Sequence, residues 1–239
     1  MLFRSLLFDR EHQTQLFKTA RALSQKGICR FIFVGSKILA HSLVDPESPF
    51  FNFCTALRLG CLDKSHAERL VTEPFEEMGI VIEDSAEVVK RLLEVSAAHP
   101  NILQYACHQL LRKVNQKNQR TVSLQDLEEV VEAEDFYQYF TSVVWGQVDT
   151  YERLIVYLMI AKGRDAWSVD ALAAELEARG ISKRSLKNAV EVLILYSLLR
   201  RENGQLFLTY SYLSEGSRRK GSVEEVIAEL TEDVRASRK

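Results

Sequence analysis

The chain has 239 residues, of which 46% are hydrophobic and 27% charged, and its formal net charge is −2. These values suit one large or two small globular domains, and they exclude a bulk electrostatic attraction to nucleic acid or to a membrane surface. Cys29, Cys54, Cys61 and Cys107 sit in apolar runs without CxxC spacing, a pattern of buried free thiols in a reducing compartment rather than of a metal or disulfide set. The first ten residues lack the apolar segment and cleavage pattern of a signal peptide. The longest uncharged apolar run, from Leu154 to Ala161, is too short to cross a bilayer. A cytoplasmic protein with no membrane partner is expected. Ten glycines and four prolines predict mainly helical structure with few turns.

Taken in chain order, residues 11–25 predict an amphipathic helix with Leu16, Phe17, Ala20 and Leu23 on one stripe and a stop at Gly27. Phe31-Ile32-Phe33-Val34 is a short apolar run ending in Gly-Ser, the pattern of a strand buried on both faces over 30–35. A helix over about 36–44 follows, and a second strand is predicted over 56–60, far enough on for a crossover connection. From Asp63 the pattern is helical. Asp63 caps a helix that ends before Pro74. Asp84 with Glu87 resembles a capping box, and Pro100 stands at the first position of a helix with Leu103, Ala106, Leu110 and Val114 on its buried stripe. Thr121-Val122 predicts a short extended link, and Ser123 with Asp126 starts a further helix.

Residues 135–146 predict a connecting helix. Three helices follow, starting near Asp149, Ser168 and Ser182, and the first is apolar nearly all round. Leu198 to Arg201 and Gln205 to Tyr210 then read as strands joined by Glu202-Asn203-Gly204, a strong hairpin signal. Three helices and a hairpin is the order of a winged helix. The segment 214–239 reads as a charged tail ending in a helix capped by Ser222 with Glu225.

The chain contains no GxxxxGK[ST] sequence and no apolar run ending in an Asp-Glu pair, so it has no Walker A loop to wrap phosphates and no Walker B acid to hold magnesium. It also lacks a Gly-x-Ser-x-Gly elbow, an HExxH and a His/Asp/Glu set at metal spacing. No catalytic residue and no metal ligand is assigned. Ser36 follows the first predicted strand, where α/β proteins place ligand-contacting groups, although from the residues alone a turn and helix cap is the simpler explanation. His99 and Pro100 open a helix, which ordinary N-terminal helix chemistry also explains. Lys183, Arg184, Lys187 and Asn188 lie off the apolar stripe of the third helix, and Arg200 and Arg201 lie on the hairpin. In a DNA-binding winged helix these are the groove and backbone contacts. Glu191 and Glu202 interrupt the same surface, so a protein-facing role stands beside the DNA one.

From ALSQKGICRFIFVGSKILAHSLVDPESPFFNFCTALRLGCLDKSHAERLVTEPFEEMGI, and from AAHPNILQYACH that follows, the chain resembles bacterial STAND-type, AAA+-related P-loop ATPases over about residues 10–213. The resemblance implies a mainly α fold with a small α/β part: the C-terminal part of a P-loop ATPase core at 1–61 without Walker A and B, a helical lid at 62–134, a winged helix at 135–213 and a tail at 214–239. It implies that Ser36 stands at the sensor-1 position near the γ-phosphate. It also implies that Pro100, with His99 before it, stands at the lid motif facing the base or ribose, where the family's glycine is here Ala97 or Ala98. The chain then corresponds to the C-terminal portion of such a switch, coupling nucleotide state to a winged helix and not competent for ATP hydrolysis alone. ATP or ADP with Mg is expected only if the Walker A and B half is supplied, so the expected partner is that N-terminal ATPase half or a second copy. The alternative is a free-standing winged-helix transcriptional regulator touching DNA, or a protein-interaction module.

Overall fold

A computed structural model describes residues 10–35, 37–44, 46–57 and 59–237, and the chain divides into two units, Met1–Leu59 and Gly60–Lys239. It is mainly helical, and its β part among the described residues is two two-stranded sheets.

In the first unit α1 (Arg10–Gln25) and α2 (Lys37–Val44) form as the periodicity predicts. Helix α1 stops where Gly27 turns to φ +70°, and the Ile28 N–H returns to the Leu23 carbonyl at 3.0 Å. Phe17, Phe33 and Phe50 pack with ring centroids 4.3–5.5 Å apart. Arg21 lies 5.8 Å from the Phe53 ring centre and donates to the Pro49 and Phe51 carbonyls.

The strands predicted over 30–35 and 56–60 are not formed among the described residues. Phe33 joins the aromatic cluster, while its neighbours Ile32 and Val34 stand 94% and 91% exposed, and Leu57 and Leu59 are 86% and 88% exposed. Alternation along the segment is present, but a strand needs a hydrogen-bonded neighbour, and none pairs with either segment among the described residues. Cys29 is exposed and the other three cysteines are partly buried, so the expectation of four buried thiols does not hold.

The second unit begins with a helical bundle: α3 (Lys64–Glu77), α4 (Ser85–Ser96), α5 (Pro100–Lys117), α6 (Leu124–Glu132) and α7 (Glu134–Trp145). Strand β1 (Val81–Ile82) pairs in parallel with β2 (Thr121–Val122). Helix α3 does not end before Pro74 but carries it inside and runs on to Glu77. Burying Phe75 and Ile80 contributes about 2 kcal/mol each, comparable with the ~3 kcal/mol an interior proline costs. The capping box expected at Asp84 is absent: Asp84 adopts φ +43° and its side chain caps nothing. Its carbonyl instead accepts from Glu87 at 2.8 Å as the chain turns out of β1. The box at Ser123 and Asp126 is complete.

Helix α8 (Thr150–Lys162) is capped by Asp149 and buried on most sides, α9 (Val169–Ala178) is capped by Ser168, and a 3-10 turn (Lys183–Ser185) leads into α10 (Leu186–Leu195). Strands β3 (Leu199–Glu202) and β4 (Gln205–Leu208) are antiparallel. Trp167 bridges to Leu206, exchanging hydrogen bonds of 2.9 and 2.7 Å with it. The segment read as a charged tail holds a helix not foreseen, α11 (Ser211–Lys220), and then the expected helix capped by Ser222, α12 (Val223–Ala236), whose Val223, Ile227 and Val234 are buried. A helix apolar all round needs cover on every side, and α12 supplies it along α8. One hydrophobic core runs from Ala67 to Val234.

Candidate functional site

Ser36 lies outside the described residues. His99 and Pro100 open α5, with Pro100 in its first turn and His99 as a cap residue whose side chain makes no capping bond. The preceding turn is tight. Ala97 and Ala98 both adopt positive φ, +47° and +57°, and the Ala98 carbonyl accepts from the Leu62 N–H at 3.0 Å. His99 lines a cleft of about 320 Å³ with Asn101, Ser142, Gln147, Tyr196 and Tyr210. Its Nδ1 is buried without a hydrogen-bond partner, and burial holds the imidazole below its ordinary pKa, so the ring is neutral at pH 7. Among the described residues no carboxylate or cation lines this cleft. Its described lining is uncharged and polar or apolar.

Beneath the cleft, the thiol of Cys61 meets Ser197 and Tyr210. Burial raises the Cys61 thiol, with the hydrogen bonds to Ser197 and Tyr210 acting against it, and burial together with the neighbouring Cys61 raises the Tyr210 phenol. Both groups are therefore neutral. This cluster joins the entry of the bundle to the end of the hairpin, and sequence reasoning missed it because its members are spread over the whole unit.

The basic residues gather on the outer side of α10 and the hairpin, each with a different setting. Lys183 pairs with Glu177 at 2.8 Å, which raises its pKa, and Arg201 pairs with Glu191 at 2.9 Å. Arg200 pairs with Glu202 and lies 4.7 Å from the Phe207 ring centre. Arg184, Lys187 and Asn188 are exposed, and Arg184 and Lys187 have no carboxylate partner among the described residues. Ser182 accepts from the Arg184 N–H, which orients the turn before α10. The two acids foreseen as interruptions, Glu191 and Glu202, thus neutralise two of the six named positions, and Glu177 neutralises a third.

No family model matches the chain, and no curated protein matches it. Among solved structures it is similar to the Thermotoga maritima RuvB Holliday junction branch migration motor, at 16% identity and a TM-score of 0.36, over 74% of this chain and 56% of that one. Two point variants of the same RuvB match at the same identity and TM-score. The chain therefore spans little more than half the length of the structures it matches. The likeness is distant, and no activity follows from it.

Proposed function

We propose that this chain is the C-terminal region of an AAA+-related, STAND-type ATP-binding switch, in which residues 62–134 serve as the helical lid and residues 135–213 as a winged helix. The observation that carries the reading is the pair of extended apolar segments around Phe31–Val34 and Leu57. Their branched side chains are exposed and their backbone groups unpaired among the described residues, as strands of a parallel sheet stand before their neighbours are supplied. The neutral cleft at His99 supports a lid that meets a base or ribose rather than phosphate. Ser36 would read the γ-phosphate, and Pro100 would face the nucleotide, once a Walker A and B half, and with it Mg-ATP, is provided by a partner.

The test is sedimentation velocity combined with phosphate release. The chain alone should self-associate as its concentration rises and should release no phosphate from Mg-ATP. Ile32→Lys with Val34→Lys should return it to a monomer with unchanged far-ultraviolet circular dichroism. A stable monomer at high concentration, or turnover by the chain alone, would overturn the reading.

A second reading rests on Arg184, in the turn before α10, and Lys187, on α10, both exposed and without a carboxylate partner among the described residues. As a DNA-contacting module the chain should shift duplex DNA at low salt, and Lys183→Ala with Arg184→Ala should weaken the shift and reduce its salt dependence. Absence of any shift at low salt would end it.

A further inference from the structure

We infer that the helical bundle and the helix–hairpin module form a single mechanical arm, and that α11 is the clasp that locks one to the other. Three sets of contacts meet on this helix. The first is ionic. Arg91 of α4, only 20% exposed, spreads its guanidinium between two carboxylates. Its Nε and one terminal nitrogen bond Glu128 of α6 at 2.8 and 3.4 Å. Its terminal nitrogens bond Glu215 of α11 at 3.2 and 3.0 Å. Both pairs are bidentate, the geometry in which arginine gains most in orientation.

The second set is neutral, buried at Tyr212 and exposed at Ser211. The Tyr212 hydroxyl donates to the Val131 carbonyl at 2.7 Å, and the Ser211 hydroxyl donates to the Glu94 carbonyl at 3.0 Å. The Tyr212 ring stands edge-on to Phe136 and Phe140, with centroids 5.4 and 4.8 Å away, and Tyr210 stands edge-on to Phe140 at 5.6 Å. The third is steric. A Cβ on Gly216 would come within 2.7 Å of the Tyr137 ring, so α11 reaches α7 this closely only because residue 216 has no side chain.

Only Thr209 and Tyr210 separate β4 from Ser211, which begins α11, so the clasp continues the hairpin's own chain. A displacement imposed at the His99 end of the bundle is therefore delivered to the hairpin tip at Asn203-Gly204 as rigid-body motion. The angle between the two parts is constant, and a change of angle has to arise outside residues 62–237. This holds whether or not the bundle is a nucleotide lid.

Native-state hydrogen exchange in increasing urea tests it on the whole chain. In the wild type the slowest amides of Ser85–Ser96 and of Thr150–Lys162 should open with one common free energy and one common urea dependence. Arg91→Met should split them, so that amides of α4 and α11 exchange about tenfold or more faster while those of α8 keep their rate. Glu215→Gln, a milder change outside the bundle, and Gly216→Val, which acts by bulk rather than charge, should split them in the same direction. Two opening classes in the wild type would overturn the single arm. Equal acceleration of both regions in all three variants would overturn α11 as its clasp.

Discussion

Ala98 holds φ +57° in the turn that presents His99, a conformation that costs an L-residue about 1–2 kcal/mol and glycine almost nothing. Its methyl group is only partly buried, so losing it forfeits less than the ~0.8 kcal/mol of a fully buried carbon. Ala98→Gly should therefore stabilise the chain by roughly 0.5–1 kcal/mol, read as a higher thermal midpoint. Asp126 shows the opposite economy. Burial alone would raise its carboxyl, but Lys117 at 2.7 Å and the hydroxyl and N–H of Ser123 at 2.8 and 3.0 Å bring it down from 3.8 to about 2. Because the folded group titrates below the unfolded one, its contribution is complete above pH ~4 and is lost as the pH falls toward 2. Asp126→Asn should cost on the order of 2 kcal/mol at pH 7, and urea midpoints of variant and wild type should converge at the acid end.

Among the elements, the hairpin is the most local in origin. Asn203 and Gly204 both take positive φ, +49° and +78°, as a two-residue turn between right-twisted strands requires. A Cβ at Gly204 would meet nothing within 4 Å, so Gly204→Ala should cost about 1 kcal/mol through backbone strain alone. Unfolding followed by the fluorescence of Trp167, which bridges to Leu206, measures it. The caps at Asp63, Ser123, Asp149, Ser168 and Ser222 are equally local, each side chain accepting an N–H a turn further on. Pro74 and Asp84 depart from local rules because distant contacts act on them: the burial of Phe75 carries α3 through the proline, and the pairing of β1 with β2 sets the turn at Asp84.

At the scale of the whole molecule the contrast is between one continuous core in the second unit and apolar segments of the first that no described strand covers. Exposed backbone amides exchange fast unless a hydrogen-bonded neighbour protects them. The amides of Phe31 to Val34 should therefore exchange in the fastest class in the dilute chain and become protected when it self-associates or meets a partner. Protection already complete in the dilute monomer would contradict the partner-completed sheet.

Most helices, the caps at Asp63, Ser123, Asp149, Ser168 and Ser222 and the hairpin turn were legible in the residues, since each depends on spacing or on a side chain within a few positions. The apolar character of residues 31–34 was legible too, but whether they form a strand depends on a neighbour that periodicity does not register. The cleft at His99, the Cys61–Tyr210 contact and the Arg91 clasp were invisible for a related reason. Arg91 and Glu215 lie 124 residues apart, and Glu215 stands in a stretch that composition marks only as polar. Local hydrogen bonding and side-chain periodicity determine which segments are helical, because their energetics close within one or two turns. Which of those helices meet, and so which polar groups are brought together or left unpaired, is decided only when the apolar faces bury one another.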